Sequence, residues 1–92
     1  MILSFRSRAL KRFFEKSDGR GLNPQHLRKI ELVLGLLDEA NSPEQMNLAK
    51  LDFHKLSGEN PSRWSVHING NWCITFSFEG EDALAIDYED YH

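Results

Sequence analysis

The sequence is poor in cysteine, in proline and in long apolar runs, and each shortage excludes something. Cys73 is the one cysteine in 92 residues, so neither an intramolecular disulfide framework nor a CxxC zinc or redox site can form, and a reducing, cytoplasmic compartment is expected. No apolar stretch approaches the roughly 20 residues of a membrane span, and no secretory-type apolar segment follows the start. GxGxxG, Walker, GxSxG and HExxH patterns are missing, which removes sequence support for nucleotide binding, serine hydrolysis and zinc proteolysis. The separations among His26, His54, His67 and His92 match no compact metal motif, and neither metal nor cofactor is expected. What is present, 40% hydrophobic and 27% charged residues, suits one soluble domain over residues 1–92, too small for a deep enclosed pocket.

Charge is unevenly placed. The formal net charge of −3 combines a basic segment, residues 1–30, with eight of the eleven Lys and Arg against two acids, and an acidic remainder with three bases against twelve acids. A local positive patch steers toward a polyanion such as RNA whatever the total. The same charges also fit solvated helix faces. The start, Ile2-Leu3-Ser4-Phe5-Arg6-Ser7-Arg8, has a transit-peptide composition, but the domain needs this segment for a strand and a helix.

Periodicity divides the chain in two. Ile2 to Phe5 reads as a short strand; Leu10, Phe13 and Phe14 then take one helical face while Arg8, Arg12 and Lys16 line another, until Asp18-Gly19-Arg20-Gly21 breaks the helix. Asn23 and Pro24 are N-cap and first-turn signals for a second helix with Leu27, Ile30, Val33, Leu34 and Leu37 inward, reaching about Ala40, and Ser42-Pro43-Glu44 opens a short helical turn. From Trp64 the period becomes two: Trp64, Val66 and Ile68, then Trp72, Ile74, Phe76 and Phe78, then Leu84, Ile86 and Tyr88 alternate with polar residues. A three-residue loop, Asn69-Gly70-Asn71, pairs Ile68 with Trp72 and His67 with Cys73 and keeps each face consistent. The expectation is a two-layer α+β domain with the helices on the apolar face of an antiparallel sheet and the opposite face, including Cys73, open to a partner.

Proton chemistry has two candidates. His92 follows Asp90 and Tyr91, and negative charge beside it favours imidazolium, so it can exchange a proton near neutral pH; a frayed polar tail is the other reading. His54, in Phe53-His54-Lys55-Leu56-Ser57-Gly58, either faces the same surface or is a polar edge residue.

Taken together, Ser4-Phe5-Arg6, His54-Lys55-Leu56-Ser57-Gly58, Trp64-Ser65-Val66, Ile68-Asn69, Asn71-Trp72, Ile74, Phe76 and the final Asp90-Tyr91-His92 resemble the HigB branch of the RelE-like bacterial toxins, over essentially the whole chain. The resemblance implies a RelE-like fold and the toxin of a type II toxin–antitoxin pair, a ribosome-dependent endoribonuclease that cuts mRNA in the decoding site. It implies a HigA-like helix-turn-helix antitoxin as partner, besides the ribosome and mRNA. The implied cleavage needs no metal: the RNA 2′-OH loses a proton and attacks the adjacent phosphate, and the leaving 5′-oxygen gains one. On this basis His54 and His92 exchange the protons, Asp90 orients or tunes them, and Tyr91 positions RNA. Arg8, Arg12 and Lys16 contact 16S rRNA phosphates, and Lys55 is a further phosphate candidate.

One position departs from the pattern. The family's Trp-Arg-Ile is here Trp72-Cys73-Ile74. A neutral thiol cannot stabilise phosphorane charge as an arginine would. A single base change converts the Arg codons CGT and CGC to Cys, so an attenuated toxin that only binds antitoxin and ribosome stands beside a native variant. His67, expected opposite Cys73, is a partial replacement for the lost charge or an exposed strand residue without a role.

Overall fold

Helix α1 (Arg8–Lys16) begins where the Ser7 hydroxyl accepts the Leu10 N–H at 3.1 Å, and it stops where Ser17 turns left-handed, its N–H donating to the Phe13 carbonyl. Asn23 caps a 3-10 turn, Pro24–His26, that runs directly into α2 (Leu27–Glu39); a second such turn spans Pro43–Met46. In this computed structural model, which describes residues 1–90, four strands follow: β1 (His54–Lys55), β2 (Trp64–Asn69), β3 (Trp72–Glu79) and β4 (Asp82–Asp90). They form an antiparallel sheet in the order β1-β2-β3-β4.

Leu10, Ile30, Val33, Leu34 and Leu37 from the helices meet Val66, Ile74, Phe76 and Ile86 from the sheet, all fully buried. Withdrawing each of these side chains from water stabilises the domain by about 1.5–3 kcal/mol, and this burial is the main force holding helices to sheet. The expected two-layer α+β architecture is what the structure shows. Phe14 is more peripheral than its spacing predicts, 38% exposed, and packs against Phe5 instead.

Three local expectations need correction. Ile2 to Phe5 makes two isolated parallel bridges, Ile2 with Ala83 and Phe5 with Ile86, and no continuous strand; between them the Ala85 N–H is taken by the Ser4 hydroxyl at 2.9 Å. The β2–β3 hairpin keeps His67 opposite Cys73 but pairs Asn69, not Ile68, with Trp72. Ile68 becomes a bulge, and Gly70 supplies the left-handed turn residue (φ 58°). Finally, β4 carries an extra residue where Thr75 pairs with Asp87 but Ser77 with Leu84. This second bulge, with Ala85 at φ 53°, turns Ala83 into the core and puts Leu84 on the polar side, the reverse of the simple alternation.

Candidate active site

Register assembles the site on the sheet face away from the helices. His54 pairs with Ser65, Ser65 with Thr75, and Thr75 with Asp87, so these four side chains form one row across the sheet. His67, Cys73 and Glu89 form the next, because partners in an antiparallel ladder share a face. His54 and Asp87 stand on the outer strands, about 14 Å apart at three interstrand spacings. Between them lies a polar surface that continues along β4 to Glu89.

His54 is exposed, and its Nδ1 lies 2.9 Å from the Asp52 carbonyl. A carbonyl only accepts, so Nδ1 carries the proton and Nε2 is the nitrogen left to exchange one with a substrate. His67 is held similarly, Nε2 donating to the Gly70 carbonyl at 2.9 Å. Asp90 closes β4, exposed; its partner is Trp72, so by the same rule it is in phase with Tyr88 on the helix side of the sheet and not in the polar rows. Tyr91 and His92 lie outside the described residues.

The face is not open in its middle. Cys73 is only 4% exposed, its Sγ 3.7 Å from the Glu89 carbonyl oxygen, and Ser65, Thr75 and Ser77 are buried beside it. Cys73 stands between its row partners His67 and Glu89; Thr75 and Ser77 are covered by Arg63, one residue before β2 and in phase with Ser65. Its guanidinium lies across β3, donating to Ser77 at 3.1 Å, to Thr75 at 2.8 Å and to the Ala85 carbonyl at 2.9 Å. Thr75 in turn donates to the Glu89 carboxylate. Burial raises the Cys73 thiol above its ordinary value, the Ser65 contact opposes this, and Glu89, Asp87 and Asp90 add to it. Burial lowers the Arg63 guanidinium from its ordinary value, with Arg6 contributing, while Glu89, Asp87 and Glu59 oppose the shift.

Other expected residues fall elsewhere. Lys55 pairs with Trp64, hence on the sheet side opposite His54, with Nζ 6.0 Å from the Trp64 ring. Arg8, Arg12 and Lys16 are all exposed on the side of α1 opposite buried Leu10, pointing away from the sheet; Arg12 also reaches the Arg20 carbonyl at 3.4 Å. Arg63, a cation at the polar face, was not picked out from sequence, although it keeps the polar phase of Ser65 and His67; Arg6, whose charge acts on it, points to function there only within the family resemblance. Among the described residues no group of three His, Cys, Asp or Glu is placed to hold a metal ion, and no helix is long and apolar enough to cross a membrane.

The family model for the RelE-like toxin of the type II toxin–antitoxin system HigB matches residues 3–92. The chain belongs to the HigB-like toxin family. It is 37% identical over 92 residues, the full length of both proteins, to the Endoribonuclease HigB of Proteus vulgaris. As a HigB-like toxin of the type II class, it has an antitoxin as counterpart.

Proposed function

We propose that this HigB-like toxin is a ribosome-dependent endoribonuclease of the bacterial cytoplasm that cuts mRNA without a metal, with a HigA-like helix-turn-helix antitoxin as its partner. The observation that carries the reading is His54: its Nδ1 is fixed on the Asp52 carbonyl, and it shares the polar face with the rows of β2, β3 and β4. The relative named Endoribonuclease HigB supports the activity.

RNA lying along this face is cleaved by its own 2′-OH. One histidine accepts the hydroxyl proton, the oxygen attacks the neighbouring phosphorus in line, and the 5′-oxygen leaves with a proton from the other. The products are a 2′,3′-cyclic phosphate and a 5′-hydroxyl. His54 acts through Nε2 and His92 is its counterpart; Asp90 tunes the histidine, and Tyr91 holds the RNA. Among the described residues nothing encloses the substrate, and orientation is supplied by the ribosome, a contribution worth many orders of magnitude in rate. Arg8, Arg12 and Lys16 contact 16S rRNA from the helix layer.

The experiment is primer extension on mRNA in purified ribosome complexes. New 5′ ends with the natural chain and none with a His54→Ala variant are expected; cleavage of free RNA at the same rate would overturn ribosome dependence. A second reading is favoured by Cys73, a buried neutral thiol at the family's arginine position: a toxin that docks on antitoxin and ribosome with attenuated cleavage. On that reading a Cys73→Arg variant that folds, its guanidinium reaching out past His67 and Glu89, raises cleavage roughly 10²- to 10³-fold, the worth of one charge stabiliser, and Cys73→Ser leaves it unchanged; a lowered Tm in Cys73→Arg follows instead from the burial of position 73.

A further inference from the structure

We propose that Arg63 is a positioning residue for RNA cleavage: its guanidinium locks the β4 bulge at Ala85 and, through the Thr75 hydroxyl, the Glu89 carboxylate, and so sets the direction and charge of the strand leading into Asp90, Tyr91 and His92. The proposal rests on the reading of the polar face as the cleavage face.

Arginine is rarely buried unless it is paired, and Arg63 is only 2% exposed. Its bonds to Ser77, Thr75 and the Ala85 carbonyl join β3 to β4 at the residue where the ladder changes phase. Ala85 sits in the left-handed region at φ 53°, a conformation unfavourable for a residue with a Cβ. Both of its backbone groups are taken: the N–H donates to the Ser4 hydroxyl and the carbonyl accepts from Arg63. Without the extra residue, the parity of the ladder would send Asp87 and Glu89 toward the helices and Ile86 and Tyr88 to solvent. Fixing the bulge therefore fixes which face the last part of β4 presents.

The second link runs through Thr75. Its oxygen accepts from Arg63 Nη2, and its one hydroxyl proton goes to Glu89, the residue before Asp90 and the partner of Cys73. The charged groups acting on Arg63 are Arg6 from the N-terminal segment, Glu89 and Asp87 from β4, and Glu59 from the β1–β2 loop. With the arginine gone, the two β4 acids would be uncompensated, and a histidine working on this face would hold its proton more tightly.

The test is single-turnover cleavage of mRNA in purified ribosome complexes from about pH 5.5 to 8.5, the range in which histidine titrates, with ribosome binding and thermal unfolding measured alongside. Arg63→Met is expected to bind ribosomes normally, to cleave up to roughly 10²-fold more slowly, and to show its acid limb at higher pH. Arg63→Lys keeps the charge without the fork, so the limb stays while the rate falls. Thr75→Val slows cleavage, and Thr75→Ser, which retains the hydroxyl, restores it. Natural rates and profiles in Arg63→Met and Thr75→Val overturn the proposal. Should Arg63→Met fail to fold, the Thr75 pair decides: a slow valine with a normal serine supports the linkage, and equal rates overturn it. No cleavage by the natural chain removes the polar-face reading and this one together, whereas normal cleavage with unaffected variants removes only the role of Arg63.

Discussion

The Tyr88 hydroxyl lies 2.6 Å from Nδ1 of His26, 62 residues earlier in the chain, and ties the turn ahead of α2 to the strand two residues before Asp90. His26 is buried, and the Tyr88 ring stacks on Trp72 at 4.3 Å between centroids. Burial pushes the phenol above its ordinary value, Asp90 adds to the rise and the Asn23 backbone opposes it. The hydroxyl therefore keeps its proton at neutral pH.

Tyr88→Phe keeps the ring stack and deletes this bond together with the contact to the Asn23 backbone, leaving a buried imidazole nitrogen without its partner. A loss of about 1–3 kcal/mol is expected, with Tm falling about 4–8 °C for each kcal/mol. Thermal unfolding followed by circular dichroism checks it; an unchanged Tm would show that the bond contributes nothing net.

His54→Ala and His92→Gln should each lower single-turnover mRNA cleavage by roughly 10²- to 10⁴-fold, the usual worth of one acid–base group. His54 is exposed, so its variant should keep its stability within about 0.5 kcal/mol and still bind antitoxin. A variant that folds and cleaves at the natural rate would take that histidine out of the reaction.

Charge reversal of Arg8, Arg12 and Lys16 should weaken ribosome association and flatten its salt dependence, with little change in Tm, because all three point into solvent. Since the stripe and His54 face different directions, cleavage in complexes already formed should be unaffected. Natural affinity in the triple variant would assign these charges to plain solvation or to the antitoxin.

Cys73 should resist alkylation. Its thiol is buried and its pKa is raised, so at pH 8 the reactive thiolate is scarcer than in an ordinary cysteine and reagents cannot reach it. Labelling by iodoacetamide should be far slower in the native protein than in denaturant. Equal rates would place position 73 on an open surface.

Much of the fold is legible in local pattern. The period of α2 and the alternation in β2 and β3 are set by near neighbours, and the opposition of His67 and Cys73 follows from keeping both faces consistent. The Ala85 bulge is not legible in this way. Alanine carries no signature of a left-handed residue, and the groups that stabilise it, Ser4 and Arg63, arrive from distant parts of the chain. The burial of Thr75 and Ser77 was hidden for the same reason, since Arg63 must first lie across them; that of Cys73 depends on His67 and Glu89 from the two neighbouring strands. Of the candidate site, His54 receives its role through the family resemblance alone, and its row partners were not legible, because a two-residue strand such as β1 leaves no period to detect.

The N-terminal segment has a consequence for how copies of this toxin meet. By bonding the backbone of Ala83 and Ile86, residues 1–7 occupy the stretch of β4 that would otherwise template an extended peptide or a neighbouring molecule. The rest of that margin carries Asp87, Glu89 and Asp90, so two copies approaching there would repel, in the way natural sheets guard their borders with charge. A chain stripped of those first residues would expose a pairing surface lined by alanine, leucine and isoleucine, and would become prone to edge-to-edge adhesion.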